Sequence, residues 1–147
     1  MARKITTEVI CALLVMLFVY ASISKIRTFE TFKVQLEKSP YVSDIAGFVA
    51  WSLPLAELLV VVLLIIKKTR LIGLYAALFM MLLFTGYIYA ILHFSYYVPC
   101  SCGGILSKMN WNDHLIFNYI FTFLALLGII LENKPKKILN PPLQIKT

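Results

Sequence analysis

The sequence predicts an all-α integral membrane protein: a four-transmembrane-helix bundle with cytoplasmic N- and C-termini and a short amphipathic helix between spans one and two. Three observations predict it. The 147 residues are 61% hydrophobic and 14% charged, where a soluble domain carries roughly 25% charged residues. The apolar residues fall into blocks close to the ~20 residues that a helix needs to cross a bilayer at ~1.5 Å per residue. Lys and Arg gather at alternate ends of those blocks, which is how a chain encodes its orientation.

Span one covers residues 5–24, with "VICALLVMLFVYASIS" as its apolar run. A helix suits lipid because it satisfies its own backbone hydrogen bonds. A competing reading takes "MARK" and the following apolar core as a signal peptide cleaved after "VYA", which leaves three spans and an outward N-terminus. Residues 25–45, "KIRTFETFKVQLEKSPYVSDI", alternate apolar and charged groups at helical spacing. They are predicted to lie on the membrane, with Phe29, Phe32, Val34 and Leu36 toward lipid and Arg27, Lys33 and Lys38 toward headgroups. Ser39-Pro40 ends that helix.

Span two, 46–66, carries Pro54 and Glu57 in "WSLPLAELL"; span three covers 71–94 and span four 115–131. In both later spans, small residues (Gly73 and Ala77, then Ala125 and Gly128) suit close helix packing. Residues 132–147 read as a basic, proline-punctuated cytoplasmic tail. The whole is one four-span membrane domain.

Orientation follows from the basic residues. Arg3, Lys4, Lys67, Lys68, Arg70, Lys134, Lys136, Lys137 and Lys146 fall on one side; Lys25, Arg27, Lys33, Lys38 and Lys108 fall on the other. The richer side is cytoplasmic, so the "VPCSCGG" loop is expected to face outward, into a periplasm or its equivalent. Trp51, Tyr87, Tyr89, Tyr96, Tyr97 and Trp111 then map to an outer aromatic belt. The net charge of +7 is an orientation signal. No nucleic-acid-binding motif accompanies it, so lipid is the expected contact and nucleic acid is not.

The chemistry concentrates in the outward loop. Of three cysteines, Cys11 lies in the cytoplasmic half of span one and reads as a small buried hydrophobe. Cys100 and Cys102 sit where disulfides persist. Fully extended, their Cα atoms lie ~7 Å apart, so a bond between them needs a bent chain. Pro99, Gly103 and Gly104 favour that bend. A small strained ring has a raised reduction potential and donates oxidising equivalents. "GGILSKM" reads as the start of a short helix whose amide end, with Lys108, favours a thiolate at Cys102. Two other readings remain open: a structural disulfide pinning the loop, and metal binding together with His93 or His114, against which the ligand spacing argues.

Glu57 is the acidic residue deep within a span, where a charge costs about 2.5 kcal/mol or more. Pro54 one turn earlier kinks the helix around it. Lys25, at the outer end of span one, has the reach to pair with it. An ion pair, a proton-handling role and a neutral Glu57 are the alternatives. His93 ends span three and His114 begins span four, so both are candidates to move a proton beside the dithiol, or simply to anchor the interface. Asn118 shares a face with His114.

These residues resemble the MauE/DoxX family of small redox-associated membrane proteins, in its MauE-like branch. The resemblance lies in "YASISKI" closing span one, in "WSLPLAELLVVVLL", and in Cys-x-Cys-Gly at Cys100, Ser101, Cys102 and Gly103. It implies a four-helix membrane bundle that forms or isomerises disulfides in exported proteins beside a thioredoxin-like periplasmic partner. Gly104 stands where many relatives carry an aromatic residue, and the family's link to methylamine utilisation is not carried over to a substrate here.

The leading expectation is a membrane-embedded thiol–disulfide exchange factor in which Cys100 and Cys102 are the catalytic pair. One dithiol has no internal relay, so a thioredoxin-like protein or a quinone bound among the helices completes the cycle. The alternative is a non-enzymatic subunit or scaffold whose disulfide shapes a loop. A transporter is disfavoured, because one buried carboxylate and four spans lack the inverted repeat of such carriers.

Overall fold

The computed structural model describes residues 2–95 and 110–133. They form helices α1 (Ala2–Arg27), α2 (Phe29–Glu37), α3 (Ala46–Ile65), α4 (Arg70–Phe94) and α5 (Trp111–Glu132), with a 3₁₀ turn at Ser43–Ile45 leading into α3. Four of these helical segments are long and apolar enough to cross a membrane, with mean hydropathies of 2.0 to 2.4. Only 28–39% of each apolar window is buried within the protein, so most of every span faces away from it. On α3 the outward face holds Phe48, Trp51, Leu55, Leu59 and Val62; on α5 it holds Ile116, Tyr119, Ile120 and Phe123. An apolar surface of that extent requires lipid as its solvent. The chain is a multi-pass membrane protein.

The helix ends follow local chemistry. At Thr28 the chain bends, and the Thr28 hydroxyl donates to Ser24 O at 2.9 Å while Phe32 N–H donates to Thr28 O at 2.9 Å. The bend therefore leaves these backbone groups satisfied. Between α3 and α4, Ile66 turns to an extended conformation and Lys67 and Lys68 are exposed. The Thr69 hydroxyl donates to Leu63 O at 3.1 Å, closing the last turn of α3. Helix α5 begins at Trp111, before its apolar block at residue 115, because Asp113 in the first turn complements the positive end of the helix dipole.

The spans form a ring in the order α1, α3, α4, α5, closed by α5 on α1, with α2 folded over α3. Leu14 and Phe18 of α1, Leu64 of α3, Leu74 and Met81 of α4, and Ala125 of α5 fill its centre. Lipid is as apolar as leucine, so helices associate here through close contact. Gly73 supplies one such contact: a Cβ there would lie 2.8 Å from backbone atoms of Leu63 and Leu64. At Gly128 a Cβ would meet Leu74 at 2.9 Å and Ile10 at 3.2 Å. Ala77 and Ala125, each fully buried, continue the two seams.

Helix α2 differs from the surface helix that its spacing predicts. Phe32 and Leu36, each 4% exposed, pack against Ala46 and Ala50 rather than pointing into lipid. Their i, i+4 spacing makes one apolar stripe, and folding back over α3 buries it against protein. Val34 stays on the exposed side.

Candidate functional site

Two polar pairs at helical spacing meet where α1 packs on α3. Ser22 and Lys25 share one face of α1, and Pro54 and Glu57 share one face of α3. The Ser22 hydroxyl donates to Pro54 O at 3.1 Å. Lys25 Nζ donates to Glu57 Oε1 at 2.7 Å, with side chains only 9% and 0% exposed. Lys25 does not rise toward headgroups. Its ammonium turns back along α1, 3.5 Å from Ala21 O, and approaches the rings of Phe84 and Phe32 at 5.5 and 5.9 Å. Those rings add cation–π attraction, and the ion pair offsets the cost of a charge at that depth. Glu57 Oε2 has no hydrogen-bond partner among the described residues.

Beside this pair lies a partly open cavity of about 90 Å³. It occupies the end of the bundle from which residues 96–109 depart and to which they return. Phe32 and Leu36 of α2 wall one side, Phe84 and Ile88 of α4 another. Its polar groups are Lys25, Tyr87, His114 and Asn118. His114 and Asn118 stand one turn apart on the inner face of α5, each 5% exposed. Neither side chain has a hydrogen-bond partner among the described residues. Tyr87 is engaged: its hydroxyl donates to Ser39 Oγ at 2.9 Å, tying α4 to the chain just after α2.

The two histidines expected to stand beside the cysteine loop differ in where their helices turn them. His93 is exposed, with its ring stacked on Tyr89 at 4.2 Å and Nδ1 3.1 Å from Tyr89 O. Ile88 and Ile91 hold the buried face of α4, so the helical repeat turns His93 away from the cavity. Tyr87 is half-buried rather than part of an interfacial belt, whereas Trp51 is exposed and packs its ring on Phe29 at 4.8 Å. Cys11 is buried in the core. Cys100 and Cys102 lie outside the described residues, as do Pro99, Gly103, Gly104, Lys108, Tyr96, Tyr97 and the tail from residue 134. Among the described residues, no group of three His, Cys, Asp or Glu side chains is placed to hold a metal ion.

Sequence reasoning missed Ser22, Ser39 and the wall built by α2. The signal for Ser22 was present, since it precedes Lys25 by the same interval that separates Pro54 from Glu57. Nothing local marks Ser39, whose partner lies 48 residues away.

Comparison with known proteins adds one match. The model of the family described as "Methylamine utilisation protein MauE" matches residues 3–131. No curated protein and no solved structure matches the chain.

Proposed function

Because the chain belongs to the MauE family, we propose that it is a thiol–disulfide exchange factor of the bacterial inner membrane, with Cys100 and Cys102 as its reacting pair. The observation that carries this reading is positional. The segment holding both cysteines joins α4 to α5 at the end of the bundle where Lys25, Glu57, His114 and Asn118 gather around a cavity. Both termini are cytoplasmic in this reading, and the cysteine segment faces the periplasm.

In the oxidising direction, a client thiolate attacks one sulfur of the Cys100–Cys102 disulfide and forms a mixed disulfide. The second client thiolate then displaces that sulfur. The client gains its S–S bond, and two electrons and two protons end on Cys100 and Cys102. A thioredoxin-like protein in its disulfide form, or another two-electron oxidant, restores the pair. Exported proteins are the clients, and the methylamine utilisation named in the family description is one setting for them.

Trapping tests this. Replacing the resolving cysteine should leave a mixed disulfide that thiol-reversible electrophoresis detects, so Cys100→Ser and Cys102→Ser are made separately. Client oxidation should stop in both variants. Full client oxidation in both, with no trapped species in either, would leave a scaffold with a structural loop and end the exchange reading.

A further inference from the structure

We propose that the cavity between α1, α2, α4 and α5 holds a small cluster of bound water, through which the buried groups around it exchange protons with the compartment at that end of the bundle. The proposal makes no use of Cys100 and Cys102 and stands apart from the exchange reading. Three side chains face this space with bonds still to make. His114 and Asn118 are each 5% exposed, line the cavity and have no side-chain hydrogen-bond partner among the described residues. Lys25 Nζ directs one donor to Glu57 Oε1 and a second, at 3.5 Å, to Ala21 O, which leaves a third. Buried polar groups ordinarily find partners, so three of them around one space point to a ligand.

Their chemistry asks for a ligand that both donates and accepts. The Lys25 ammonium and the Asn118 amide N–H groups need acceptors. The Asn118 carbonyl and the unprotonated nitrogen of a neutral imidazole need donors. Glu57 Oε2 is a further acceptor without a partner. An anion gains little, because Glu57 already balances Lys25, and a cation meets the Lys25 ammonium. An acyl chain would leave every one of these groups unmet. Size narrows the class further. At ~30 Å³ per molecule, a cavity of about 90 Å³ takes about three waters. A polar lining is what separates a wet cavity from a dry one. Phe32, Phe84 and Phe117 close the rest of the wall without hydrogen bonds, which confines the cluster to the polar side.

One intervening water carries a proton between groups that make no direct bond. Lys25 and His114 reach the cavity from different helices and do not bond to one another. Water joins them, and Glu57 through Lys25, into one proton-exchanging site.

The test uses the full chain in nanodiscs. Hydroxyl radicals made by an X-ray pulse react beside bound water. Met81 lines the cavity at 1% exposure, while its neighbour Met80, at 8%, does not line it. Met81 should therefore be oxidised several-fold faster than Met80, the reverse of their exposure. In isotopically labelled protein, magnetisation should pass from water to the His114 ring and the Asn118 side-chain amide, and their N–H signals should vanish within minutes in heavy water. Ala21→Leu places a larger apolar side chain in the cavity wall. It should abolish the Met81 excess and slow the exchange several-fold. Because that variant could misfold, the wild-type measurements decide alone. Met81 oxidised no faster than Met80, N–H signals that persist for hours, or magnetisation that arrives from lipid chains and not from water overturns the proposal. Retained Met81 oxidation in a folded Ala21→Leu variant puts the water elsewhere and overturns it as well.

Discussion

Lys25 Nζ lies 2.7 Å from Glu57 Oε1, and neither side chain reaches the surface of the bundle. The contact joins the last turns of α1 to the middle of α3, beside a hydrogen bond from Ser22 to Pro54. A charge left alone at that depth has neither water nor a counter-ion, so each partner depends on the other.

Removing one partner should therefore be far worse than removing both. Glu57→Gln or Lys25→Met strands a buried polar or charged group and is expected to cost about 3–5 kcal/mol. The Lys25→Met/Glu57→Leu double variant should recover most of that loss, because well-packed apolar groups replace a buried pair at little net cost. Thermal unfolding in detergent measures all three. A loss in the double variant equal to the sum of the two single losses would mean that the pair contributes no coupling.

Two glycines of α4 should respond oppositely to alanine. At Gly73 a Cβ would press on the α3 backbone at 2.8 Å, while at Gly86 it would meet nothing within 4 Å. Gly73→Ala is expected to destabilise by about 1–3 kcal/mol, as overpacking does. Gly86→Ala is expected to stabilise by about 0.5–1 kcal/mol through helix propensity. Melting temperatures that move in the same direction for both would contradict the close α3–α4 approach.

How far the sequence discloses this architecture differs from element to element. The spans are legible because bilayer thickness imposes a length, and the blocks at residues 5–24 and 71–94 meet it. Glu57 is legible as an anomaly, since an acid in an apolar run demands a partner, and Lys25 is the cation with the reach. Burial of Phe32 and Leu36 is not legible. Their spacing is the same whether the stripe faces lipid or protein, and only the fold-back of α2 over α3 decides. The inward turn of Tyr87 escapes for a similar reason, because its partner Ser39 is remote in the chain. His93 and His114 look equivalent because one ends span three and the other begins span four, yet the phase of each helix sends one outward and one into the cavity.

The placement of α2 yields a further test. If Phe32 packs on α3 and walls the cavity, as its 4% exposure shows, Phe32→Ala should cost about 3–5 kcal/mol, the usual range for a buried phenylalanine. Val34→Ala, on the exposed side of the same helix, should stay within about 0.5 kcal/mol. The pair of melts separates a helix packed on protein from one resting on lipid, for which both changes would be mild.

Burial of Lys25 also sharpens the proposed orientation. Counted from the sequence alone, that lysine belongs to the side holding Arg27, Lys33, Lys38 and Lys108. Paired with Glu57 inside the bundle, it no longer weighs as a loop charge, and the bias toward the side of Lys67 and Lys68 grows. Those two lysines are exposed in the α3–α4 turn, so Lys67→Cys provides a reporter there in a Cys11→Ala background. In intact cells, a membrane-impermeant maleimide should leave the introduced thiol unlabelled until the membrane is permeabilised. After mild reduction, Cys100 and Cys102 should react without permeabilisation. The reverse pattern would put the cysteine pair in the reducing cytosol, where a disulfide does not persist and exchange with exported proteins is impossible.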